Sequence, residues 1–460
     1  MSREESDINM TAINVIGLLF ACIFVIYIVY QGWDLPLAIL LGAILICVTN
    51  GMNILTTVNT MLEDIKFLFG IMLLPFLFGS ILAKVLIDSR GALSTAVKLL
   101  DILGRGRTDR FRRGIAVAIT LIIVAALGYC SFNNAFLQGA VAIAMASATN
   151  IPRKYMVAMC MFGTTLSVLL PGNVGNAMYT SAYMPTISAY SALPVATIIS
   201  IFVAVVGFIL ITRNIEKSVA AGDHWDYGPL ADPNIDASDK LPPWFLLLVP
   251  VVCIIVSFAI LKLDIWVSIA IGLISALIVY CPYLPYDKRA ENLNTISRTT
   301  SRLKLVTGAG IAMAGVPILM VMNNGLATVI SMSNGFAVVE SFFRNLPFHP
   351  LVNLSLIGTV LTGIASGPAG FLLGLNVAVE SYVPMGISAE ACRYLLICTF
   401  TILDTLPTSM GFLMLTSWAG VKVKDAYPCV FKSTVILPAI ATVICLILFM
   451  LFPGLALVGA

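Results

Sequence analysis

The residues best suited to chemistry lie in one short stretch, CTFTILDTLPTSMGF, which runs from Cys398 to Phe412. It places a carboxylate, Asp404, shortly before Pro407 in a sequence that is otherwise largely apolar. Ionisable residues inside membrane segments are costly and mark ion or proton pathways. A low-dielectric surrounding favours the neutral form of a carboxylate, so we expect Asp404 to load and release a proton. The alternative is a carboxylate that caps local backbone amides beside the proline.

The composition indicates a polytopic helical membrane protein. Of the 460 residues, 59% are hydrophobic and only 11% are charged, whereas soluble proteins carry about 25% charged residues. The net charge of +3 is too small to suggest a nucleic-acid partner. The only histidines, His224 and His349, lie in polar sequence, which argues against a histidine metal site. We expect a multi-pass membrane protein that needs no cofactor.

Apolar segments recur along the whole chain. The first, 13–30, is long enough to span a bilayer, and its flanks do not fit a cleaved signal peptide. Several others are shorter than the roughly 20 residues of a full span, which suggests broken helices and re-entrant hairpins. The segments are 12–30, 35–48, 67–87, 115–130, 155–170 and 193–211, followed by 244–260, 265–280, 305–321, 351–364, 394–406 and 435–452.

A hydrophilic stretch, 213–243, divides the chain into two halves of similar length. It is acidic, contains prolines and has no apolar period, so we interpret it as a linker. The first transmembrane repeat is then 11–212 and the second is 244–455. The densest basic run, RGRTDRFRR at 105–113, is expected in a cytoplasmic loop rather than on nucleic acid.

The two halves share a motif. GYCSFNNAFLQG at 128–139 and GIASGPAGFLLG at 363–374 both fit G-x-x-S-x-x-x-x-F-L-x-G. Farther on, TLSVLLPGNVG at 165–175 aligns with TILDTLPTSMG at 401–411, which pairs Pro171 with Pro407 and Val168 with Asp404. Paired repeats with interrupted helices are typical of secondary transporters whose site lies near the membrane midplane. We predict an all-α fold of two inverted-topology repeats with broken helices and re-entrant hairpins, and roughly 10–14 membrane segments.

The breaks in these segments offer polar groups to a ligand. Non-helical backbone at membrane depth is buried in protein or lines a cavity, and helix N-termini favour anions. The alternative for each residue is close helix packing or a helix–helix hydrogen bond. The candidate substrate-binding residues are Ser131, Asn133, Asn134, Asn173, Asn176, Ser366, Gly367, Thr405, Thr408 and Ser409.

Arg393 is the other charge near the broken segment. It follows Glu390 at i, i+3, so we expect the pair at the membrane edge, with the arginine head extending to water. Contact with a substrate carboxylate is the alternative role for this arginine.

The second half resembles the gluconate permease family, proton-coupled carboxylate symporters of the ion transporter superfamily. The similarity lies in HPLVNLSLIGTVLTGIASGPAGFLLGL, 349–375, and continues through MGISAEACRYLLICTFTILDTLPTSMG, 385–411. Family features fall on Ser366 and Gly367, on the connection 385–391 and on the Leu-Asp-Thr-Leu-Pro turn at 403–407. The chain departs from the family at Thr408, where many members have histidine, and at 133–134, where Asn-Asn replaces a common Phe-Asp pair.

The resemblance implies proton-coupled symport of a small organic acid, such as gluconate or a hydroxycarboxylate, with Asp404 as the proton carrier. It also implies a multi-pass protein of the bacterial inner membrane. The expected partners are that acid and the lipid bilayer, and a homo-oligomer is compatible with this function. A sodium-coupled carboxylate transporter is an open alternative. An intramembrane enzyme is a remote one, because it would need a buried nucleophile–base pair or metal set that the sequence does not offer.

Overall fold

The computed structural model describes all residues except 1–2, 130–134, 174–175, 178–179, 181–182, 227–240, 258–260, 262, 287–294, 321, 366 and 460. Within the described parts the chain is helical, and no strand occurs there. The first half contains α1 (Arg3–Tyr30), α2 (Leu35–Thr49), α3 (Ile54–Asp88), α4 (Gly91–Leu103), α5 (Asp109–Tyr129), α6 (Ala135–Thr149), α7 (Lys154–Leu169) and α8 (Leu193–Ala220). The second half contains α9 (Leu248–Ile255), α10 (Ile265–Tyr280), α11 (Thr295–Met320), α12 (Met322–Ser331), α13 (Asn334–Arg344), α14 (Pro350–Ala365), α15 (Gly367–Val377), α16 (Ala389–Leu403), α17 (Met410–Ala419), α18 (Val423–Phe431) and α19 (Leu437–Leu451).

Five stretches of the described helices are long and apolar enough to cross a membrane: Thr11–Tyr30, Asp109–Tyr129, Leu193–Ala220, Trp266–Tyr283 and Val423–Leu451. Shorter apolar helices accompany them, as the interrupted segments of the sequence predict. The surface of helix α8 is suited to lipid and not to water. Its side chains at Ile199 and Val203 are buried, and those at Ile201 and Val205 are exposed and equally apolar. A helix that is apolar on every side fits a lipid surrounding.

The two halves repeat the same order of helix contacts. In the first half, α5 packs against α6 and α7, and α7 packs against α8. In the second half, α14 packs against α15 and α16, and α16 packs against α19. The opening pairs, α1 with α2 and α9 with α10, also correspond. The aligned sequence motifs therefore lie on helices with matching neighbours.

The halves meet where α3 crosses α11. Ser80 donates a 2.7 Å hydrogen bond to the carbonyl of Gly310. A β-carbon on Gly310 would come 2.6 Å from the α-carbon of Ile81, so only glycine permits this approach. Small residues that bring backbones together are the usual basis of packing between membrane helices, because lipid provides no hydrophobic driving force for it.

Ion pairs gather at one end of the helix bundle, beside the basic loop. Arg113 at the start of α5 makes two 2.7 Å hydrogen bonds to the carboxylate of Glu216 near the end of α8. Lys154 at the start of α7 lies 2.6 Å from Asp223, just after α8. Helix α8 thus continues to Ala220, beyond the predicted start of the linker at residue 213, because its polar last turns find partners on α5 and α7.

Candidate functional site

The second half's broken segment is built as the sequence predicts. Helix α16 ends at Leu403, and α17 begins at Met410. Pro407 lies between them and has no N–H with which to continue a helix. Ser409 caps α17, since its hydroxyl accepts a 3.3 Å hydrogen bond from the N–H of Phe412. Asp404 is the first residue after α16 and therefore lies at the break itself.

A hairpin of α14 and α15 packs against the broken segment. A β-carbon on Gly370 would come 2.5 Å from the α-carbon of Thr362, so the two arms of the hairpin touch through this glycine. Helix α16 lies across both arms. A β-carbon on Gly358 of the first arm, or on Gly374 of the second, would come within 2.7 or 3.0 Å of the same side chain, Leu396. These glycines align α16 with the hairpin, so that its last turn reaches the hairpin tip.

At the tip of the hairpin, the carboxylate of Asp404 contacts Gly367, the first residue of α15. An ideal β-carbon on Gly367 would be 1.9 Å from Oδ1 of Asp404 and 3.0 Å from the ring of Phe400. Any residue other than glycine would displace the carboxylate. The first turn of a helix carries unpaired N–H groups and a partial positive charge, which favours a nearby anion.

The Asp404 side chain also faces a small cavity between α1, α12, the hairpin and the break. The cavity has a volume of about 30 Å³, which is enough for about two water molecules. Among the described residues, the Asp404 carboxylate has no hydrogen bond or ion pair. The cavity is lined by Cys22, Val25, Ile26, Leu326, Thr362, Gly363, Leu403, Asp404, Leu406, Thr408 and Ser409. The site thus combines one uncompensated carboxylate with three hydroxyl-bearing residues, Thr362, Thr408 and Ser409, and with space for small polar groups.

The side chain of Thr405 does not face this cavity. Its hydroxyl lies 2.5 Å from that of Thr434, and both residues are almost completely buried. Thr434 belongs to a π-helical turn, Lys432–Ile436, between α18 and α19. Thr405 therefore joins the break to the last long helix, and it does not line the cavity. A π-helical turn at such a junction is common at functional sites.

At the equivalent break of the first half, the side-chain amides already donate hydrogen bonds to nearby backbone carbonyls. The amide of Asn173 donates to the carbonyls of Gly128 at 3.2 Å and Ser167 at 2.9 Å. The amide of Asn176 donates to the carbonyl of Val168 at 2.7 Å. These two candidates hold backbone carbonyls that the break leaves without helical partners, so a substrate would have to displace those hydrogen bonds.

Arg393 does not extend to water, and that expectation is wrong. The residue is 2% exposed, and its guanidinium donates to the Ser191 hydroxyl at 3.0 Å and to the carbonyls of Ala189 and Ser191 at 3.1 and 3.0 Å. Burial is possible because these acceptors replace water. Arg393 lies about 16 Å from Asp404 along the axis of α16, so one small ligand cannot contact both residues.

The candidates Ser131, Asn133, Asn134 and Ser366 lie outside the described residues. Of the remaining candidates, the structure brings together Asp404, Gly367, Thr408 and Ser409 and leaves Thr405, Asn173, Asn176 and Arg393 in structural contacts. Cys22 and Thr362, which line the cavity, are not among the sequence candidates, since nothing in an apolar helix distinguishes a cavity-lining cysteine or threonine from a packed one. The same holds for Thr434, the buried partner of Thr405.

Comparison with models of known protein families gives no match, and comparison with curated proteins gives no significant one. The resemblance to the gluconate permease family accordingly stays a hypothesis that depends on the quoted motifs.

Proposed function

We propose that this protein is a secondary transporter that couples the uptake of a small organic acid to a proton. The observation that carries the proposal is the carboxylate of Asp404, which lies at a helix break on the tip of a hairpin and has no counter-charge among the described residues. Asp404 is half-buried. A carboxylate that is partly removed from water and has no partner is costly when ionised and becomes neutral by taking up a proton. A residue of this kind is suited to carry a proton across a membrane.

Alternating access between two inverted halves is part of the proposal. Helix α7 begins beside the end of α8, where Tyr155 donates to the carbonyl of Asn214 at 3.0 Å. Its counterpart α16 begins beside the start of α8, where Arg393 binds Ser191. The 28 residues of α8 span about 42 Å. Equivalent helices that start at opposite ends of one long helix support an inverted arrangement of the halves.

The small cavity at Asp404 fits a closed stage of such a cycle. Its volume of about 30 Å³ holds about two waters and is far too small for a six-carbon acid. In the proposed cycle the hairpin and the break separate to admit the acid from one side and close before it leaves on the other. Candidate contacts to the acid are Thr408, Ser409 and the backbone at Gly367.

Uptake in proteoliposomes tests the proposal. Purified protein is supplied with radiolabelled gluconate and a panel of hydroxycarboxylates, under an inward proton gradient and without one. One of these acids should accumulate only with the gradient. Asp404→Asn should lose gradient-driven accumulation and keep exchange of internal for external acid. Asp34→Asn, which changes an exposed carboxylate outside the site, is the matched control. Normal accumulation by Asp404→Asn would disprove the proton-carrier role.

Sodium coupling is a second candidate, favoured by the oxygen-bearing side chains that line one part of the cavity. The Asp404 carboxylate and the residues Thr408 and Ser409 line the same small space, and alkali cations in transporters bind carboxylate, hydroxyl and backbone oxygens at broken helices. Uptake driven by a sodium gradient alone, at equal pH on both sides and with a protonophore present, distinguishes sodium coupling from proton coupling. Accumulation under that condition favours sodium, and its loss favours the proton.

A further inference from the structure

The carboxylate of Asp404 is in direct contact with Gly367, the residue at which helix α15 begins. A β-carbon on Gly367 would come 1.9 Å from Oδ1 and 2.9 Å from Cγ of Asp404. Helix α15, which begins at Gly367, has 11 residues, and its first N–H groups have no partners within the helix. The oxygen of Asp404 therefore lies beside the first turn of this helix, the part of a helix that attracts anions.

In the described lining of the cavity, no second charged side chain lies near this position. Among the described residues that line the cavity, Asp404 alone is charged, and Cys22 on α1 is the only other titratable side chain. The described parts of α12, α14, α15 and α17 contain no titratable residue. The partial positive charge of the α15 N-terminus is thus compensated by Asp404 when that residue is ionised, and by no other charged side chain of the described cavity lining when it is protonated.

We infer that ionised Asp404 occupies the place of the substrate's carboxylate at the first turn of α15, and that protonation of Asp404 opens this place to the substrate. The inference rests on the proposed function and adds to it the order of binding. Two carboxylates cannot share one helix N-terminus in a small, low-dielectric cavity, because like charges at close range repel strongly. One proton bound at Asp404 then accompanies one carboxylate bound at α15, which gives coupling without a direct contact between proton and substrate.

Acetate binding tests this inference without knowledge of the natural acid, since acetate contains little beyond the carboxylate. Thermal unfolding of the full-length protein in detergent is followed with rising sodium acetate, against sodium chloride at equal ionic strength. The side-chain amide introduced by Asp404→Asn resembles the protonated acid in size and charge. This variant should show a saturable rise in Tm of about 2 °C at pH 8, unchanged at pH 6. The unmodified protein should show no acetate-specific rise at pH 8 and a growing one as the pH falls.

Two further variants test whether groups other than Asp404 cause the pH-dependent response of Tm to acetate. Asp34→Asn changes an exposed carboxylate just before α2 and should respond to acetate as the unmodified protein does. Cys22→Ser removes the other titratable group of the cavity and should leave the pH dependence unchanged.

Equal acetate responses of Asp404→Asn and the unmodified protein at pH 8 would overturn the inference, and so would an acetate response of the unmodified protein that is independent of pH. The proposed function fails by a separate result, the absence of gradient-driven uptake for every acid tested. Acetate can bind as inferred even in that case, so the two failures are distinguishable.

Discussion

The hydroxyls of Thr405 and Thr434 lie 2.5 Å apart in the buried space between the break after α16 and the π-helical turn before α19. Thr434 also donates to the carbonyl of Val430 at 2.8 Å. The hydroxyl of Thr405 must then donate to that of Thr434, because a hydroxyl carries only one hydrogen. The two hydroxyls are therefore unequal, and loss of one is not equivalent to loss of the other.

Replacement of Thr434 by valine should destabilise the protein more than replacement of Thr405. Thr434→Val leaves the buried donor of Thr405 without an acceptor, which costs about 1–3 kcal/mol. Thr405→Val leaves Thr434 bonded to Val430 and should cost about 1 kcal/mol or less. Chemical unfolding in detergent of both single variants and the double variant gives the coupling energy of the pair. Strict additivity of the two changes would show that the hydrogen bond contributes nothing.

Gly367→Ala should leave the fold intact and, under the proposed function, reduce transport. The added β-carbon would collide with Oδ1 of Asp404 at 1.9 Å. The carboxylate is the end of a short side chain that can rotate away, so we expect a change in unfolding free energy of only about 1 kcal/mol. The displaced carboxylate and the new methyl group should lower the initial rate of uptake by about tenfold or more, as a small misplacement at a reacting group does.

Two glycines serve as controls for this change. Gly308→Ala introduces a methyl group where nothing lies within 4 Å and should alter neither stability nor uptake. Gly374→Ala, two turns along the same helix, brings a β-carbon 3.0 Å from Leu396 and tests tight packing away from the carboxylate. A loss of uptake in Gly374→Ala equal to that in Gly367→Ala would assign the effect to packing alone.

The sequence predicts the broken helices well and the neighbours of Asp404 poorly. Apolar length and the two Leu-Pro pairs locate the ends of α7 and α16, because proline lacks the N–H that a helix needs. Helices α4 and α13 were not predicted, since each mixes charged and apolar residues and has no uniformly apolar run. Such amphipathic helices are visible only through their periodicity.

Tertiary contacts explain the remaining differences. Asn173 and Asn176 have the right chemistry for a ligand, yet their amides bind carbonyls freed by the first break. From its sequence position, Arg393 resembles a residue at the membrane edge. In the structure its guanidinium instead donates to acceptors at residues 189 and 191, about 200 positions earlier in the chain. Helices α14, α15 and α16 approach one another closely at glycines of α14 and α15. A single sequence does not state those pairings.

Arg393→Lys should destabilise the protein and spare substrate affinity. The guanidinium of Arg393 bonds to acceptors on Ala189 and Ser191 with a planar fork that a single ammonium cannot reproduce. A loss of about 1–3 kcal/mol in unfolding free energy is expected, since hydrogen bonds to a charged group are lost in a buried position. The affinity for an acid that the uptake assay identifies as a substrate, measured by isothermal calorimetry, should change less than about threefold because Arg393 is remote from Asp404. A large loss of affinity at normal stability would instead establish Arg393 as an anion contact.

The ion pair between Lys154 and Asp223 should make part of the stability depend on pH. Hydrogen bonds from Lys154 and then from Ser218 lower the pKa of Asp223 below its ordinary value of 3.8. A carboxylate with a lowered folded-state pKa stabilises the protein above its unfolded-state pKa, and this contribution is lost as the pH falls through the folded-state pKa. Asp223→Asn should therefore lower Tm at pH 7, and the difference from the unmodified protein should shrink below pH 3.8. Thermal unfolding from pH 7 to pH 3 measures this difference, with Asp34→Asn as an unpaired control. A difference in Tm that is constant over the whole pH range would show that Asp223 acts by packing and not by charge.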